Sequence, residues 1–368
     1  MNIVGLTTSS ADRKRRAGQR MVIGISGASV TAEEREWIKA CQPGGFVLFG
    51  RNVEEPAQVL ELNRELASLL PKDLPPIRCV DQEGGRVQRV KAPATVWPPM
   101  RWVGNVDDVK FTTAVGRALG REVRALGFDL DFAPVADVDS NPKNPIIGDR
   151  AFAAKADATG RHAAAFVRGM QDEGCIACAK HFPGHGDTAT DTHLGLAVVE
   201  KDPPDLEQVE LAPFRACLEA GVATVMTSHV IYPAWDEDYP ATMSNKIVRG
   251  ILRRKMGFRG VVFSDDLEMK AVRGRYPLEQ QLTEASAASV DVFLLCKELN
   301  LQVEAFEQLI RLQETDKAQN DAAIDAAKRW HGLREVFLKD PPPRPDLAVL
   351  ASAAHADLAL RARAQGQA

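Results

Sequence analysis

The sequence lacks long apolar runs and long basic clusters. No stretch approaches the roughly 18 apolar residues of a membrane span, and no apolar segment of signal-peptide length follows the short basic run at residues 13–16. A formal net charge of −4 over 368 residues argues against nucleic acid as the partner. We therefore expect a soluble, cytoplasmic protein with neither a membrane nor a nucleic-acid partner.

Cysteine is sparse and dispersed. The six cysteines lie in predicted strands and helices, without the dense spacing of a secreted disulfide scaffold. We expect reduced and mostly buried thiols. Cys175 and Cys178 form a single C-x-x-C pair, but a zinc site would need a second pair and a redox motif should open a helix. We interpret the two residues as small side chains of a strand.

Short apolar runs rich in Val, Ile and Phe alternate with segments of helical composition, such as residues 56–70, 111–126, 157–173 and 206–220. The predicted strands are residues 21–26, 45–49, 77–81, 130–135, 177–181, 224–229, 260–265 and 292–296. Eight such repeats, with 45% hydrophobic content to fill a core, predict an α/β fold: a single-domain (β/α)8 TIM-type barrel over residues 1–340. The Pro-rich break at 341–345 and the Ala/Leu-rich helix predicted at 346–364 form a C-terminal tail, residues 341–368, which we expect to pack on the barrel or on a partner.

Polar residues follow almost every predicted strand, and the densest group is residues 180–193, with three histidines and two acids among Gly and Pro. Loops of this composition carry chemistry more often than they stabilise folds. Strand ends converge on one face of a closed barrel, so the pattern predicts a single pocket there.

Five segments carry a resemblance to a known family. They are residues 81–89 (DQEGGRVQR), 131–138 (DFAPVADV), 147–152 (IGDRAF), the loop 180–193 and residues 260–269 (GVVFSDDLEM). In this order, over roughly residues 20–300, they resemble glycoside hydrolase family 3, and most closely its single-domain β-N-acetylglucosaminidases, the NagZ group. The resemblance implies a glycosidase that needs no cofactor and no metal.

The resemblance also implies the catalytic residues. Asp265 matches the family's nucleophile, with Asp266 as the second choice, and it follows an apolar strand that would hold it rigidly. His193, supported by Asp191, matches the acid/base; an imidazole can exchange protons near neutral pH. We expect the loop 184–192 to be mobile enough to bring His193 over the glycosidic oxygen.

Five further residues match positions that grip the terminal sugar: Asp81, Arg89, Arg150, Lys180 and His181. A sugar needs polar groups in fixed directions, and these side chains supply acceptors and donors. His229 is expected either in the pocket wall or behind it, and Asp137 and Asp149 are expected to orient neighbouring arginines.

The implied reaction is release of terminal β-linked N-acetylglucosamine by double displacement with retention. The implied substrates are small carbohydrates: N-acetylglucosamine joined to anhydro-N-acetylmuramic acid, with or without peptide, from cell-wall recycling. We expect a monomer or weak dimer. Within the family, β-glucosidase or β-xylosidase activity, or phosphate replacing water, stays open.

Two alternatives from other classes remain. A metal-dependent hydrolase would collect His181, His185, His193, His229 and Asp265 around zinc, although Pro183 and the adjacent glycines disfavour the helix that the 181/185 spacing would need. A sugar-binding barrel without catalysis is disfavoured by the presence of both Asp265 and the Asp191/His193 pair.

Overall fold

The computed structural model describes residues 9–188 and 196–367. Eight parallel strands form a closed barrel in which each strand pairs with its neighbours in chain order. The barrel strands, β1 to β8, are Met21–Ile23, Gly45–Leu48, Ile77–Val80, Leu130–Asp131, Ile176–Phe182, Thr224–Thr227, Val261–Asp266 and Val292–Leu295. The predicted (β/α)8 barrel is confirmed, and every predicted strand coincides with one of these eight.

Helices cover the outside of the barrel. Those that follow the strands are Ala32–Cys41, Pro56–Ser68, Val109–Ala125, Ala156–Asp172, Leu211–Glu219, Asn245–Lys255, Leu278–Ala287 and Leu299–Thr315; the others of at least six residues are Ser10–Gln19, Met100–Asn105, Lys317–Phe337 and Ala353–Gly366. Asn245–Lys255 is wound as a π-helix. Capping residues determine where two of these helices begin. Thr31 and Glu34 form a reciprocal capping box at the start of Ala32–Cys41, and Asp108 accepts hydrogen bonds from two amides of Val109–Ala125.

Two apolar layers hold these elements together. Inside the barrel, Phe132 and Phe263 meet edge to face with ring centroids 5.4 Å apart, and Trp330 packs against Phe263 at 5.7 Å. The outer layer lies between the strands and the helices and includes Phe166 and Phe214. A filled interior is typical of this fold, so binding is confined to the rim.

Strand β4 is shorter than predicted. It ends at Asp131 instead of residue 135, because Pro134 has no amide hydrogen to donate to a neighbouring strand. The chain nevertheless stays extended, and Val135 forms an isolated parallel bridge with Lys180.

The C-terminal tail packs on the barrel helices. Glu122 of the helix Val109–Ala125 is buried, and its carboxylate accepts hydrogen bonds from the Ala351 amide and the His355 ring. The predicted tail helix is divided: a 3-10 turn, Leu347–Val349, precedes the helix Ala353–Gly366. Ala351 lies between them at φ 48°, which ends the first turn.

Within the described ranges 9–188 and 196–367, no helix combines the length and apolarity needed to cross a membrane.

Candidate active site

A pocket of about 330 Å³ opens at the carboxyl ends of the strands. Its volume lies within the usual range for small-molecule sites. It is lined by Phe49, Asp81, Glu83, Val87, Arg89, Ile146, Arg150, Lys180, His181, His185, Met226, Asp265, Asp266, Met269, Leu294 and Cys296. Six of the eight residues predicted to form the site therefore line one pocket.

Four charged side chains form a network on one wall of the pocket. Lys180 Nζ lies 2.7 Å from Asp81 Oδ1 and 2.5 Å from Glu83 Oε1. Arg150 donates two hydrogen bonds of 2.8 Å to the Glu83 carboxylate. Two anions and two cations alternate, so each charge has opposite charges beside it.

This network keeps its members ionised although Glu83 and Lys180 are buried and Asp81 and Arg150 are only slightly exposed. Burial opposes ionisation of Asp81 and Glu83, but Lys180 beside both, with Arg89 near Asp81 and Arg150 near Glu83, holds the pKa of each carboxyl below its usual value. Burial alone would lower the pKa of Lys180, but Asp81 and Glu83 outweigh it and raise that pKa above normal. The wall therefore offers fixed charges to the hydroxyls of a ligand.

Glu83 is the residue that the sequence interpretation missed. It lies in the same motif as Asp81, two positions further on, in a short hairpin made by Gln82–Gly84 and Val87–Gln88. A carboxylate beside two glycines at a strand end was a usable signal, because a buried acid requires a cationic partner. Arg150 was expected to contact the sugar directly; in the structure its guanidinium donates two hydrogen bonds to Glu83.

Arg89 lies at the edge of the same wall. Its Nη2 is 3.3 Å from Asp81 Oδ2, and its guanidinium lies over the Phe49 ring, 5.3 Å from the centroid. Its Nε is buried and has no hydrogen-bond partner among the described residues. Arg89 therefore has one hydrogen-bond donor that these residues leave unsatisfied.

Asp137 orients a histidine, which corrects the expectation that it orients an arginine. Asp137 Oδ2 lies 2.7 Å from His181 Nδ1, and Oδ1 accepts the backbone amides of His181 and His185. Because a carboxylate with a depressed pKa only accepts, His181 Nδ1 carries the proton. Burial opposes that ionisation of Asp137, and the neighbouring His181 overcomes it. Asp149 does lie near an arginine, 3.7 Å from Arg86.

Lys180 and His181 both line the pocket although they are consecutive in β5. Regular strands alternate their side chains between two faces, but β5 is irregular here: its pairing with β6 shifts between Ala179 and Phe182. The Lys180–His181 peptide bond is cis. Such irregularity next to a site is a recurrent way to re-aim side chains.

A similar shift brings Asp265 and Asp266 to the pocket together. In β7, Phe263 is opposite Val292 of β8, but Asp266 rather than Asp265 is opposite Leu294. One extra residue is therefore inserted, as in a β-bulge. The Asp265 carboxylate accepts the Asp266 amide at 2.8 Å, which holds the predicted nucleophile on the strand.

Asp266 differs electrostatically from a surface carboxyl. Burial raises the pKa of Asp266 to about 7, opposed by the hydrogen bond from the Glu268 amide. Much of the population therefore holds Asp266 neutral at neutral pH. Asp265 thus has no permanently charged carboxylate as its immediate neighbour, which favours its assignment over Asp266.

His229 lies behind the pocket, as one of the two expectations had it. Its Nε2 is 3.0 Å from the Asp266 carbonyl oxygen and its Nδ1 is 2.9 Å from Thr242 Oγ1. A carbonyl only accepts, so Nε2 carries the proton. Burial lowers the pKa of His229, and the neutral ring supports the backbone next to Asp265.

The loop after β5 is anchored in its described part, residues 184–188. Asn144 donates to the carbonyls of His185 and Gly186 and to the Thr188 hydroxyl, and Ser140 donates to Asp187. These hydrogen bonds fix the position of residues 184–188 against the loop after β4, and the mobility expected of the loop 184–192 stays a prediction. Asp191 and His193, predicted to form the acid/base pair, lie outside the described residues.

The described histidines do not form a metal site with their neighbours. Within residues 9–188 and 196–367, no group of three or more His, Cys, Asp or Glu side chains is arranged to hold a metal ion. His185 Nδ1 is occupied by the Thr188 hydroxyl at 3.0 Å. Burial and the nearby His181 lower the pKa of His185 to about 4, so it is neutral at pH 7.

Comparison with known proteins gives the family. Residues 14–329 match the glycosyl hydrolase family 3 N-terminal domain. The chain is 37% identical over 317 residues to a β-hexosaminidase of Nitrosomonas eutropha, covering 84% of this chain and 88% of that protein. It is 40% identical over 282 residues to a β-hexosaminidase of Xylella fastidiosa, covering 75% and 83% respectively.

Solved structures agree with this assignment. A family 3 β-N-acetylglucosaminidase from Paenibacillus sp. superposes with a TM-score of 0.90 at 33% identity, over 96% of this chain and 68% of that one. NagZ from Neisseria gonorrhoeae, solved with N-trifluoroacetyl-D-glucosamine, gives a TM-score of 0.77 at 32% identity, over 94% and 98%. The chain is therefore a glycoside hydrolase and belongs to glycosyl hydrolase family 3.

Proposed function

We propose that this enzyme is a retaining exo-β-N-acetylglucosaminidase. The observation that carries the proposal is the convergence of Asp265 with Asp81, Lys180 and His181 on one pocket of sugar size. The names of the relatives, β-hexosaminidase and β-N-acetylglucosaminidase, supply the sugar class.

In the proposed mechanism, Asp265 attacks the anomeric carbon and forms a covalent glycosyl-enzyme. His193, with Asp191 as its partner, donates a proton to the departing oxygen. The same imidazole then takes a proton from water, which attacks the intermediate and releases the sugar with its β configuration retained. A second displacement at the same carbon is the reason for retention.

The charged wall would position the sugar. The anions Asp81 and Glu83 accept hydroxyl hydrogens, and Arg89 and Lys180 donate to hydroxyl oxygens. His181, held through Nδ1 by Asp137, would direct Nε2 towards the sugar. Because ion pairs hold these groups before the ligand arrives, little ordering is left to oppose binding.

For the natural substrate we propose N-acetylglucosamine joined to anhydro-N-acetylmuramic acid, with or without peptide, and a role in cell-wall recycling in the cytoplasm. The NagZ of Neisseria gonorrhoeae, solved with an N-acylated glucosamine analogue, supports the preference for an N-acyl sugar. A panel of aryl glycosides that differ only in the sugar tests it: the N-acetylglucosaminide should be cleaved fastest, and a faster glucoside or xyloside would reject the assignment.

Asp265→Ala tests the nucleophile. We expect hydrolysis of an aryl β-N-acetylglucosaminide to fall by about three orders of magnitude or more, since the covalent route is lost. The first sugar released by the unmodified enzyme should be the β-anomer by NMR. Retention of about a tenth of the activity by the variant, or release of the α-anomer, would reject Asp265 as nucleophile.

His193→Ala tests the acid. The loss should be large for a natural disaccharide and smaller for an aryl leaving group that departs without a proton. Equal losses on both substrates would argue against His193. The same assays in phosphate-containing and phosphate-free buffer test whether phosphate replaces water, in which case a sugar 1-phosphate would accumulate.

A further inference from the structure

A second concavity lies at the opposite end of the barrel and is strongly basic. It has a volume of about 520 Å³ and is formed by the helix Asn245–Lys255, the loop that follows it and the helix Lys317–Phe337. Its lining contains five arginines: Arg249, Arg253, Arg254, Arg259 and Arg329. We call it the arginine basin.

The carboxylates near the basin do not balance these charges. Asp291 is fully buried and shared, with Arg253 Nη2 at 2.6 Å from one oxygen and Arg329 at 2.8 Å from the other. Asp325, at the rim, pairs with Lys328 at 3.3 Å. Five guanidinium groups therefore share two carboxylates: Asp291, which is buried, and Asp325, which is already paired with Lys328.

The guanidinium groups of two of the arginines have no partner among residues 9–188 and 196–367. Arg254 and Arg259 are exposed, and their side chains make no hydrogen bond or ion pair with any residue in the described ranges. Arg249 has no ion pair there either and donates only to the Ala287 carbonyl. Three guanidinium groups thus keep donors for an external anion.

The arginines of the basin repel one another. Burial, followed by the charges of Arg254 and Arg329, lowers the pKa of Arg249. Burial also lowers the pKa of Arg253, and Arg329 contributes to the shift. Like charges held together destabilise one another, and an anion bound between them would relieve that repulsion.

An apolar trough of about 660 Å³ adjoins the basin, and Arg259 and Arg329 line both. The apolar part of the trough includes Val261, Leu333 and Val336; Val336 is 73% exposed. An exposed valine is unremarkable by itself, but here it lines a concavity that ends at two cationic groups. The combined shape suits a molecule with an anionic head and an apolar body.

We propose that the arginine basin and the adjoining trough bind a small organic phosphate, whose phosphate lies among Arg249, Arg254 and Arg259 and whose apolar body lies against Leu333 and Val336. Guanidinium forks match phosphate oxygens in pairs, so several convergent arginines favour phosphate over a single carboxylate. The site lies at the amino ends of β6 and β7, where Ala223 and Gly260 line the trough. Asp265 lies at the other end of β7, so the ligand would not compete with the glycoside.

Isothermal titration with phenyl phosphate and with inorganic phosphate tests the site. We expect both to bind, phenyl phosphate about threefold or more tighter because its ring occupies the trough. Raising NaCl from about 0.05 M to about 0.5 M should weaken both, since screening acts on exposed charges. Failure of phenyl phosphate to bind, or equal affinity of the two probes, would overturn the proposal.

The double variant Arg254→Gln/Arg259→Gln locates the binding. We expect the affinity for phenyl phosphate to fall about tenfold or more, while the exposed control Arg311→Gln leaves it unchanged. Glycosidase activity should be unaltered in both variants, which also reports that they fold. Affinity retained by the double variant would mean that the anion binds elsewhere, including the active site, and would reject the basin.

Hydrogen exchange in the unmodified enzyme gives a second measurement that needs no variant. Phenyl phosphate should protect amides in residues 249–260 and 329–337, and not those of the hairpin at 82–88. Protection at the hairpin alone, or binding of an acidic peptide but not of phenyl phosphate, would reject a small phosphate as the ligand. Either result leaves the proposed glycosidase function unaffected.

Discussion

At the residue scale, Glu83 joins Arg150 to Lys180 in the charged wall of the pocket. It is buried and pairs with both Arg150 and Lys180, so one carboxylate compensates two buried cations. The motif at 81–89 could have indicated Glu83 as a site residue, but it could not indicate its partners, because Arg150 and Lys180 are distant in sequence. Pairing across a barrel rim depends on strand order and register, which single motifs do not encode.

Glu83→Gln should impair both stability and activity. The variant leaves buried positive charge uncompensated, which typically costs about 3–5 kcal/mol in the free energy of unfolding. We expect kcat/KM to fall by about tenfold or more, because Lys180 and Arg150 lose their fixed positions. Thermal unfolding and aryl-glycoside kinetics measure the two effects. Asp149→Asn, which removes a carboxylate from an exposed ion pair, is the control and should change neither stability nor activity. If Glu83→Gln also changed neither, the charged network would be dispensable.

The buried carboxyl group of Asp131 predicts how the stability of the protein depends on pH. It is fully buried beneath the charged wall, its Oδ2 has no hydrogen-bond partner among the described residues, and burial raises its pKa to about 8. Between the unfolded pKa near 4 and about pH 8, the unfolded chain is ionised at this position while the folded chain is not. Folding then takes up a proton, and stability falls as pH rises, by about 1.4 kcal/mol per pH unit for this group.

Asp131→Asn removes this titration and keeps an oxygen for the Gln82 amide, which now donates to Asp131 Oδ1 at 2.9 Å. The free energy of unfolding of the variant, relative to the unmodified protein, should therefore increase from about pH 5 to about pH 7. Urea unfolding at both pH values measures it. A difference that does not change with pH would mean that Asp131 is ionised in the folded protein.

At the element scale, the apolar runs predicted all eight strands, because a strand buried on both faces is marked by its composition. Two irregularities in β5 and β7 were not predictable in the same way. A bulge is defined by the register against the neighbouring strand, and the sequence of one strand does not fix that register. These irregularities nevertheless place Lys180, His181, Asp265 and Asp266 in one pocket.

Asn144 links two of the strand-end loops. Its Nδ2 donates to the loop after β5, and its Oδ1 accepts the amides of Ile146 and Ile147 in the loop after β4. Asn144→Ala would leave several buried polar groups unsatisfied, at a cost of about 1–3 kcal/mol in stability. Because the loop after β5 continues towards His193, we expect kcat to fall more than KM rises.

The comparison variant for Asn144→Ala is Asn141→Ala. Asn141 Nδ2 makes one bond to that loop, to the Asp187 carbonyl at 3.1 Å, so its loss should have a smaller effect on kcat. Steady-state kinetics on a substrate with a poor leaving group measures both. An increase in KM with unchanged kcat in Asn144→Ala would place its effect on sugar binding and contradict a role in positioning the loop.

At the scale of the whole molecule, the barrel separates two environments. The carboxyl ends of the strands hold the paired charges of the active site, and the amino ends hold the arginine basin and the trough. The tail adds a third feature: Arg344 donates to the carbonyls of Arg124 and Phe128 and pairs with Asp129. We propose that residues 341–368 are a structural extension of the barrel domain and not an independent unit.

A chain that ends at Asp340 tests this proposal. Truncation would uncover the helices Met100–Asn105 and Val109–Ala125, and the buried Glu122 would lose its bonds from Ala351 and His355. We expect one cooperative unfolding transition for the full chain, and truncation should lower the free energy of unfolding by about 2–5 kcal/mol.

The tail is also connected to the pocket. Glu122 accepts the Thr95 hydroxyl, and Gln88, in the hairpin next to Arg89, donates to the Thr95 carbonyl. Truncation at Asp340 should therefore raise KM and leave kcat largely unchanged. As the control, a chain that ends at Gly366 should match the full chain in stability and kinetics. Two separate unfolding transitions, or unchanged stability after truncation at Asp340, would show that the tail is an independent unit.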